Sequence, residues 1–384
     1  MTTTRLNPRK SIADFGMVFG TITASIAFVM ELTLLPLILG DIQRDLGLSL
    51  RELSWVFNAY AVAVAAAVLT TGIVGDRVNK RHLFGFGVLL FATGSVLAAA
   101  SSDFTSLILS RMLQGIGGGL FSPLVPILLT HAFPIRSGRI LMIWGGLAGI
   151  AATVLPTIGD AVEAAFGWRA LFIAFASTSV IAMLLTAMSN VKAYPVEGNG
   201  TPKYRSLFPR RGIWPIFAFI FLTYGSFTFY LFYLPTSLES DSATVAWVLT
   251  FVWLSFSTFS FILREKLEGA NLFRILMAAP ILIAAGFLTA VAFQGAPQAQ
   301  VLSGILVGAG LACGNSPSTH LLLCRSPLEL RAFSSSLDIT FARCGGAITV
   351  ALFSGVAPVV AAAAVTTLSL LALACCGYLR PERH

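Results

Sequence analysis

Charged residues are scarce in this chain: Asp, Glu, Lys and Arg together make up 11% of its 384 residues, whereas 56% of the residues are hydrophobic. So few charges cannot cover the surface of a soluble globule of this length. The mean hydropathy of +0.84 points the same way. The composition therefore excludes a soluble domain and indicates that lipid surrounds most of the chain.

Histidine and cysteine are also rare, with four and five copies. The cysteines lie in or beside apolar runs and do not show the spacing of metal ligands. The sequence also lacks a nucleophile–base–acid set and a phosphate-binding glycine loop between a strand and a helix. We therefore expect neither an enzyme nor a cofactor, and a proton gradient rather than ATP as the source of energy.

Long apolar runs follow one another through the whole chain. A helix needs about 20 apolar residues to cross a bilayer, and the sequence offers about twelve such segments separated by short polar breaks. The expected spans are 14–39, 54–75, 83–101, 105–130, 138–160, 169–188, 213–235, 242–263, 272–293, 298–320, 334–356 and 358–379. The pattern predicts an all-α integral membrane protein with twelve transmembrane helices.

The basic residues alternate between the two sides of the predicted helices. One set of connecting segments contains only Arg44, Arg51 and Arg169, whereas nearly all other Lys and Arg residues fall in the opposite set. By the positive-inside rule, both termini lie in the cytoplasm. This distribution accounts for the net charge of +8, so we expect a lipid bilayer as partner and no nucleic acid.

One cytoplasmic segment, residues 189–212, is polar, basic and rich in glycine and proline. It separates six predicted spans from six, as two structural repeats joined by a flexible linker require. We predict two six-helix, pseudo-symmetric halves, 1–188 and 213–384, joined by the linker 189–212. In transporters built this way, the substrate binds between the halves near the midplane.

Glu31 is the only charged residue between Phe15 and Gly40. An ionised side chain near the centre of a spanning helix costs about 2.5–3.5 kcal/mol on insertion scales, and such residues usually mark an ion or proton pathway. The sequence therefore predicts that Glu31 is the proton-coupling residue of a transporter.

Between spans 2 and 3, the sequence GIVGDRVNKR (72–81) resembles motif A of the major facilitator superfamily, with Asn79 at a position where glycine is usual. In that family the motif is a latch between the halves in the outward-facing state. The resemblance implies a gating role for Asp76, Arg77 and Arg81, and contact with the eleventh span near Ser334.

Span 4 contains LILSRMLQGIGGG (107–119), in which Arg111, Gln114 and Gly115 match motif B of the proton-coupled members. Depth supports a contact: Glu31 lies about 12 Å from the expected outer end of helix 1, and Arg111 about 9 Å from the outer start of helix 4. A pair of Glu31 and Arg111 would bind protons differently in a wet and in a closed cavity. The alternative is a fixed structural ion pair.

Span 5 carries WGGLAGIAATVLPTIGD (144–160), which partly matches the antiporter motif C. Pro156 and Gly159 align and are predicted to act in gating, whereas Leu155 and Asp160 depart from the motif. The stretches 31–60, 166–172 and 335–352 are similar to the fourteen-helix drug/proton antiporter branch. Because 189–212 is too polar to contain the extra helix pair, the chain resembles a twelve-helix relative with the major facilitator fold.

Polar and aromatic residues within the spans are candidates for substrate binding. They are Asn58, Tyr60, Gln114, Tyr224, Tyr230, Tyr233, Asn315 and Arg343. The leading hypothesis is proton-coupled antiport, with efflux of a small amphipathic or cationic compound by alternating access. Transport of an organic anion or metabolite is an alternative, because Arg111 and Arg343 make the cavity locally positive. A receptor or scaffold that kept the fold is a second alternative. We expect a monomer in a bacterial inner membrane.

Overall fold

The computed structural model describes residues 8–74, 78–133, 137–189, 204–209, 212–237, 242–263, 269–327 and 330–379. The secondary structure within these ranges is helical. The helices are α1 (Pro8–Leu46), α2 (Leu50–Val74), α3 (Lys80–Ala99), α4 (Phe104–Phe121), α5 (Leu124–Ala132), α6 (Ser137–Phe166), α7 (Trp168–Ala187), α8 (Ile213–Ser237), α9 (Ser242–Leu263), α10 (Gly269–Ala292), α11 (Pro297–Arg325), α12 (Arg331–Phe353) and α13 (Pro358–Leu379).

Twelve segments of the described chain are long and apolar enough to cross a membrane. The prediction of an all-α membrane protein with twelve spans is confirmed. Helices α4 and α5 together form the fourth span, Phe104–Ala132. Domain boundaries at 189 and 212 stay a prediction, because 190–203 and 210–211 lie outside the described residues.

Helix α1 continues well past the predicted end at residue 39. It ends only at Leu46, where Gly47 takes the left-handed backbone conformation with φ of 62°. The N–H of Leu48 then donates to the carbonyl of Gln43 at 3.0 Å, which is the Schellman arrangement that ends many helices. The polar residues after Gly40 therefore extend the helix beyond its apolar part.

Helix α4 begins at a capping box and ends near a proline. The Asp103 carboxylate accepts a hydrogen bond from the N–H of Ser106 at 2.9 Å, which holds the pKa of this carboxyl below its ordinary value. At the other end, Pro123 has no N–H to donate, and its ring disfavours a continuous helix. The fourth span therefore breaks between Phe121 and Leu124.

The two groups of spans pack in the same pattern. In the first group α1 contacts α7, α2 contacts α4, and α3 contacts both α4 and α7. In the second group the equivalent pairs are α8 with α13, α9 with α11, and α10 with both α11 and α13. The groups meet mainly through α2 with α12, α6 with α9, and α1 with α8. These six helices therefore form most of the contact between the two groups of spans.

An ion pair fastens the far end of α1 to the start of α7. Arg169 Nη1 lies 2.6 Å from Asp45 Oδ2, and Trp168 Nε1 donates to the same oxygen at 3.1 Å. Arg169 also donates to the carbonyl of Ser101 at 3.1 Å. The stretch 166–172, which resembles the start of the sixth span in drug/proton antiporters, therefore connects the start of α7 to the ends of α1 and α3.

Candidate functional site

Glu31 and Arg111 form an ion pair inside the first half. Arg111 Nη2 lies 2.5 Å from Glu31 Oε1. Glu31 is 2% exposed and Arg111 is fully buried. The two residues that the depth argument placed at similar heights are therefore in contact, whereas their role in proton coupling stays a prediction.

The guanidinium of Arg111 has several partners besides Glu31. Its Nη1 donates to Gln114 Oε1, and its Nε approaches the carbonyl of Val56 at 3.5 Å. Its Cζ lies 4.6 Å from the ring centroid of Tyr60 and 5.8 Å from that of Phe172. Aromatic faces attract a cation in a water-poor site, so Arg111 keeps favourable contacts even when Glu31 is neutral.

Glycines allow the helices around Arg111 to lie close together. A Cβ atom on Gly115 would lie 2.5 Å from the carbonyl oxygen of Tyr60, and one on Gly94 would lie 2.5 Å from the backbone N of Gln114. Close approach of α2 and α3 to α4 therefore needs glycine at these positions. It also brings Ser95 within 2.9 Å of Gln114 Nε2, so that Gln114 is held from a second side.

A cavity of about 1020 Å³ lies between the two halves. Its wall includes Glu31 from α1 and, from the second half, Asp338 and Arg343 of α12. Ligand cavities usually measure about 300–1,000 Å³ and combine an apolar wall with a few polar groups. Size and lining therefore fit a drug-sized molecule that contacts both halves.

Some of the predicted substrate-binding residues line this cavity and others lie elsewhere. Those that line it are Tyr60, Tyr224, Asn315 and Arg343. The guanidinium of Arg343 lies 5.7 Å from the ring centroid of Phe28, so it reaches from the second half toward α1.

The other four predicted residues are engaged in packing. Asn58 Nδ2 donates to the carbonyl of Ala347 at 2.9 Å, and Tyr230 exchanges a hydrogen bond of 2.7 Å with Ser303. Tyr233 is 2% exposed beside two phenylalanine rings, and Gln114 belongs to the Arg111 network. Their positions lend no support to substrate contact, which stays a prediction for them.

Asp338 is the site residue that sequence reasoning passed over. It is 8% exposed, lines the cavity and accepts a hydrogen bond from Thr319 Oγ1 on α11. The argument that singled out Glu31, an isolated acid within a span, applies equally to Asp338. The cavity therefore has one carboxylate on each half.

The predicted gating residues are only partly described. Asp76 and Arg77 lie outside the described residues. Arg81 donates to the carbonyls of Thr186 at 3.1 Å and Ser189 at 2.7 Å, at the end of α7. A Cβ atom on Gly72 would lie 2.3 Å from Ser336 Oγ, so the end of α2 does lie against α12.

The other two gating residues, Pro156 and Gly159, lie on α6, where a Cβ atom on Gly159 would lie 2.4 Å from Leu34 Cδ2 of α1. Beside these two residues, α6 makes hydrogen bonds to α9 of the second half. Asp160 accepts a hydrogen bond from Ser242 Oγ, and Thr157 and Thr250 share one of 3.1 Å. The halves are therefore joined by polar contacts at the end where α6 finishes and α9 begins.

Comparison with known proteins shows that the chain is similar to proteins named as transporters. The family model described as Major Facilitator Superfamily matches residues 17–350. The tetracenomycin C resistance and export protein of Streptomyces glaucescens is 36% identical over 134 residues, which are 34% of this chain and 24% of that protein. The riboflavin transporter RibZ of Clostridioides difficile is 31% identical over 145 residues, 38% of this chain and 32% of that protein. The matched segments thus span only about a quarter to a third of these two relatives.

A crystal structure of the peptide transporter POT in complex with sulfate superimposes with a TM-score of 0.77. The superposition covers 98% of this chain and 97% of that chain at 14% identity. At so low an identity the likeness concerns the fold alone.

Among the described residues, no group of three or more His, Cys, Asp or Glu is placed to hold a metal ion.

Proposed function

Because this chain belongs to the major facilitator superfamily, we propose that it is a membrane transporter, and specifically a proton-coupled antiporter that exports a small amphipathic or cationic compound. The observation that carries the proposal is the buried Glu31–Arg111 pair, whose carboxylate forms part of the wall of the large cavity between the halves. A buried carboxylate that faces a cavity can exchange its proton with water there. An acid sealed inside a packed core cannot do so.

The proton and the substrate would use the same carboxylate in turn. With Glu31 ionised, its charge attracts a cationic substrate into the cavity. Protonation of Glu31 removes that attraction, and Arg111 stays in place through Gln114 and the ring of Tyr60. Rocking of the halves around this site would then release the substrate on the other side of the membrane.

The cavity wall fits an amphipathic cation. Asp338 adds a second carboxylate, and aromatic side chains such as Phe28, Tyr60 and Phe227 cover much of the wall. A cation is stabilised both by a carboxylate and by aromatic faces in a poorly hydrated site. The similarity to a protein named for tetracenomycin C export agrees with efflux.

Transport of an organic anion or metabolite is the second candidate, and Arg343 favours it. Its guanidinium belongs to the cavity wall and would bind a carboxylate or phosphate well. The similarity to a protein named as a riboflavin transporter is compatible with this alternative.

We also infer the setting of the protein. Twelve apolar helices make it an integral membrane protein, and the proposed membrane is the inner membrane of a bacterium. The asymmetry of the basic residues supports cytoplasmic termini. A single chain contains both halves of the cavity, which supports a functional monomer.

The test uses the purified protein in liposomes with an imposed pH gradient. Proton movement triggered by a panel of lipophilic cations, zwitterions and organic anions is recorded with a pH-sensitive dye. We expect proton release with cations, and its loss in Glu31→Gln. Glu52→Gln is the matched control, because Glu52 lies in a capping box at the start of α2, where glutamine also serves. A response to anions alone would favour the second candidate, and unchanged coupling in Glu31→Gln would refute the role of Glu31.

A further inference from the structure

One face of α9 contributes a row of hydrogen-bonding side chains to the wall of the cavity. The row consists of Trp253, Ser257 and Ser260, and all three belong to the cavity wall. Spacings of four and three residues place side chains on the same face of a helix. From Trp253 to Ser260 the row extends about 10 Å along the helix axis.

The polar atoms of this row are buried and have no hydrogen-bond partner among the described residues. Serine in a helix usually donates to a carbonyl of its own helix, as Ser226 does to Leu222 at 3.0 Å. Ser257 and Ser260 do not. Since buried polar groups are nearly always paired, the unpaired row needs an explanation, and a bound ligand supplies one.

Two neighbouring polar side chains, one on α9 and one in the cavity wall, do have hydrogen-bond partners. Ser255, on another face of α9, donates to the carbonyl of Ile305 at 2.8 Å. The second tryptophan of the cavity wall, Trp144, donates through Nε1 to Ser25 Oγ at 2.9 Å. Among the described residues of the cavity wall, the hydroxyl of Tyr60 also has no partner, but several such groups lie side by side only on the Trp253 face.

Aromatic contacts hold the indole of Trp253 in place. Its ring centroid lies 6.1 Å from that of Phe227 and 5.9 Å from that of Phe256, both in edge-to-face geometry. Trp253 is only 7% exposed. A fixed indole N–H is a directional donor, and it accepts nothing in return. The ligand group opposite Trp253 must therefore be an acceptor.

We infer that Trp253, Ser257 and Ser260 form a subsite for the oxygen acceptors of a flat, multi-ring aromatic substrate. The carbonyl, phenolic or ether oxygens along one edge of the rings receive the hydrogen bonds, and the ring faces pack on the aromatic wall. The length of the row is comparable with the long axis of a three-ring system. This inference rests on the proposed function in so far as the cavity is taken as the substrate site.

Two probes that differ only in their acceptors test the subsite. One is a trimethylammonium-methyl anthraquinone, and the other is the corresponding trimethylammonium-methyl anthracene, which has the same charge and three rings but no carbonyl oxygen. Binding of each to the purified protein is measured by calorimetry without a proton gradient. In the unmodified protein we expect the anthraquinone to bind more tightly than the anthracene.

Three variants locate the preference: Trp253→Phe, Ser257→Ala and Ser260→Ala. Anthraquinone has one carbonyl on each long edge, and this oxygen can reach only one or two of three donors that extend over about 10 Å. At least one variant should therefore weaken anthraquinone binding by about two- to tenfold, the range expected for one hydrogen bond, and all three should leave anthracene binding unchanged. Thr258→Ala is the matched control, since Thr258 is exposed on the same helix and does not belong to the cavity wall. It should alter neither affinity.

Equal affinities of the two probes for the unmodified protein would overturn the inference. So would variants that weaken both probes alike, because that result would indicate a general change of packing. The outcome is independent of the transport assay. A protein that binds the anthraquinone selectively but moves no protons refutes the proposed coupling and keeps the subsite. Proton movement together with equal affinities for the two probes keeps the coupling and refutes the subsite.

Discussion

Replacement of Glu31 by glutamine separates a proton site from a fixed structural ion pair. Glutamine has nearly the same shape and keeps one oxygen that can accept the hydrogen bond from Arg111 Nη2. The charge is lost, and an NH2 group replaces the second carboxylate oxygen. If Glu31 is neutral during part of the transport cycle, the folded protein must tolerate this state.

The structure sets the expected magnitude. A hydrogen bond to a charged group contributes about 1.5–3 kcal/mol and a neutral one about 0.5–1.5 kcal/mol, so Glu31→Gln should cost about 1–2 kcal/mol. Gln114 and Tyr60 continue to hold the guanidinium of Arg111. Glu31→Ala removes the acceptor as well, and breaking a buried pair in this way costs about 3–5 kcal/mol.

Two measurements on the same samples check the reasoning. Thermal unfolding in detergent should show a small decrease in melting temperature for Glu31→Gln and a clearly larger one for Glu31→Ala. In liposomes, Glu31→Gln should lose transport against a gradient, while exchange of substrate across the membrane without a pH gradient persists.

The reasoning is refuted if Glu31→Gln unfolds as readily as Glu31→Ala, because the charge would then be a permanent part of the fold. Retention of gradient-driven transport by Glu31→Gln would refute it equally. A double-mutant cycle with Arg111→Gln measures the coupling energy between the two side chains. This energy should exceed about 1 kcal/mol, because the effects of mutations at contacting residues are not additive.

Three further changes have defined outcomes. Asp338→Asn should weaken the binding of cations about tenfold in calorimetry and leave neutral analogues unaffected, and equal losses for both would exclude a charge effect. Gly115→Ala should lower the free energy of unfolding by about 1–3 kcal/mol, because the added methyl group clashes between α4 and α2. The methyl group added by Gly145→Ala meets nothing within 4 Å, so this variant should keep the melting temperature of the unmodified protein. Asp160→Ala removes the hydrogen bond from Ser242, so spin labels at the ends of α6 and α9 should lie farther apart; an unchanged distance would show that the contact does not hold the halves together.

The number of spans and their order could be predicted from the sequence because lipid imposes a minimum apolar length on each helix. Helix ends were less predictable. The depth of Glu31 was judged from an end at residue 39, but α1 reaches Leu46, because the Schellman turn at Gly47 and not the loss of apolarity ends it. Contact with Arg111 was predicted correctly even though that reference point was wrong.

Which side of a helix faces the cavity could not be predicted with the same success. Tyr224 and Tyr230 are six residues apart on α8, and at 100° per residue they point about 120° away from each other. The first lines the cavity and the second bonds to Ser303. A sequence with apolar residues on all sides of its helices gives no signal for choosing between such faces.

The row on α9 was missed for a related reason. Serine and tryptophan are common in membrane helices and carry no charge, so Ser257 and Trp253 show nothing unusual in the sequence. Their importance depends on hydrogen bonds that are not made, and these are visible only once the surrounding helices are in place.

The contacts of Arg111 bear on how the chain could be divided. Glu31, Val56, Tyr60, Gln114 and Phe172 all belong to the first six spans, so the ion pair is complete without any residue of the second half. The cavity, in contrast, needs α8, α9, α11 and α12. One gene can encode the chain up to the segment 190–203, and a second gene the chain beyond it. The two fragments should restore transport when they are expressed together. The first fragment alone should contain the assembled Glu31–Arg111 pair but no complete cavity.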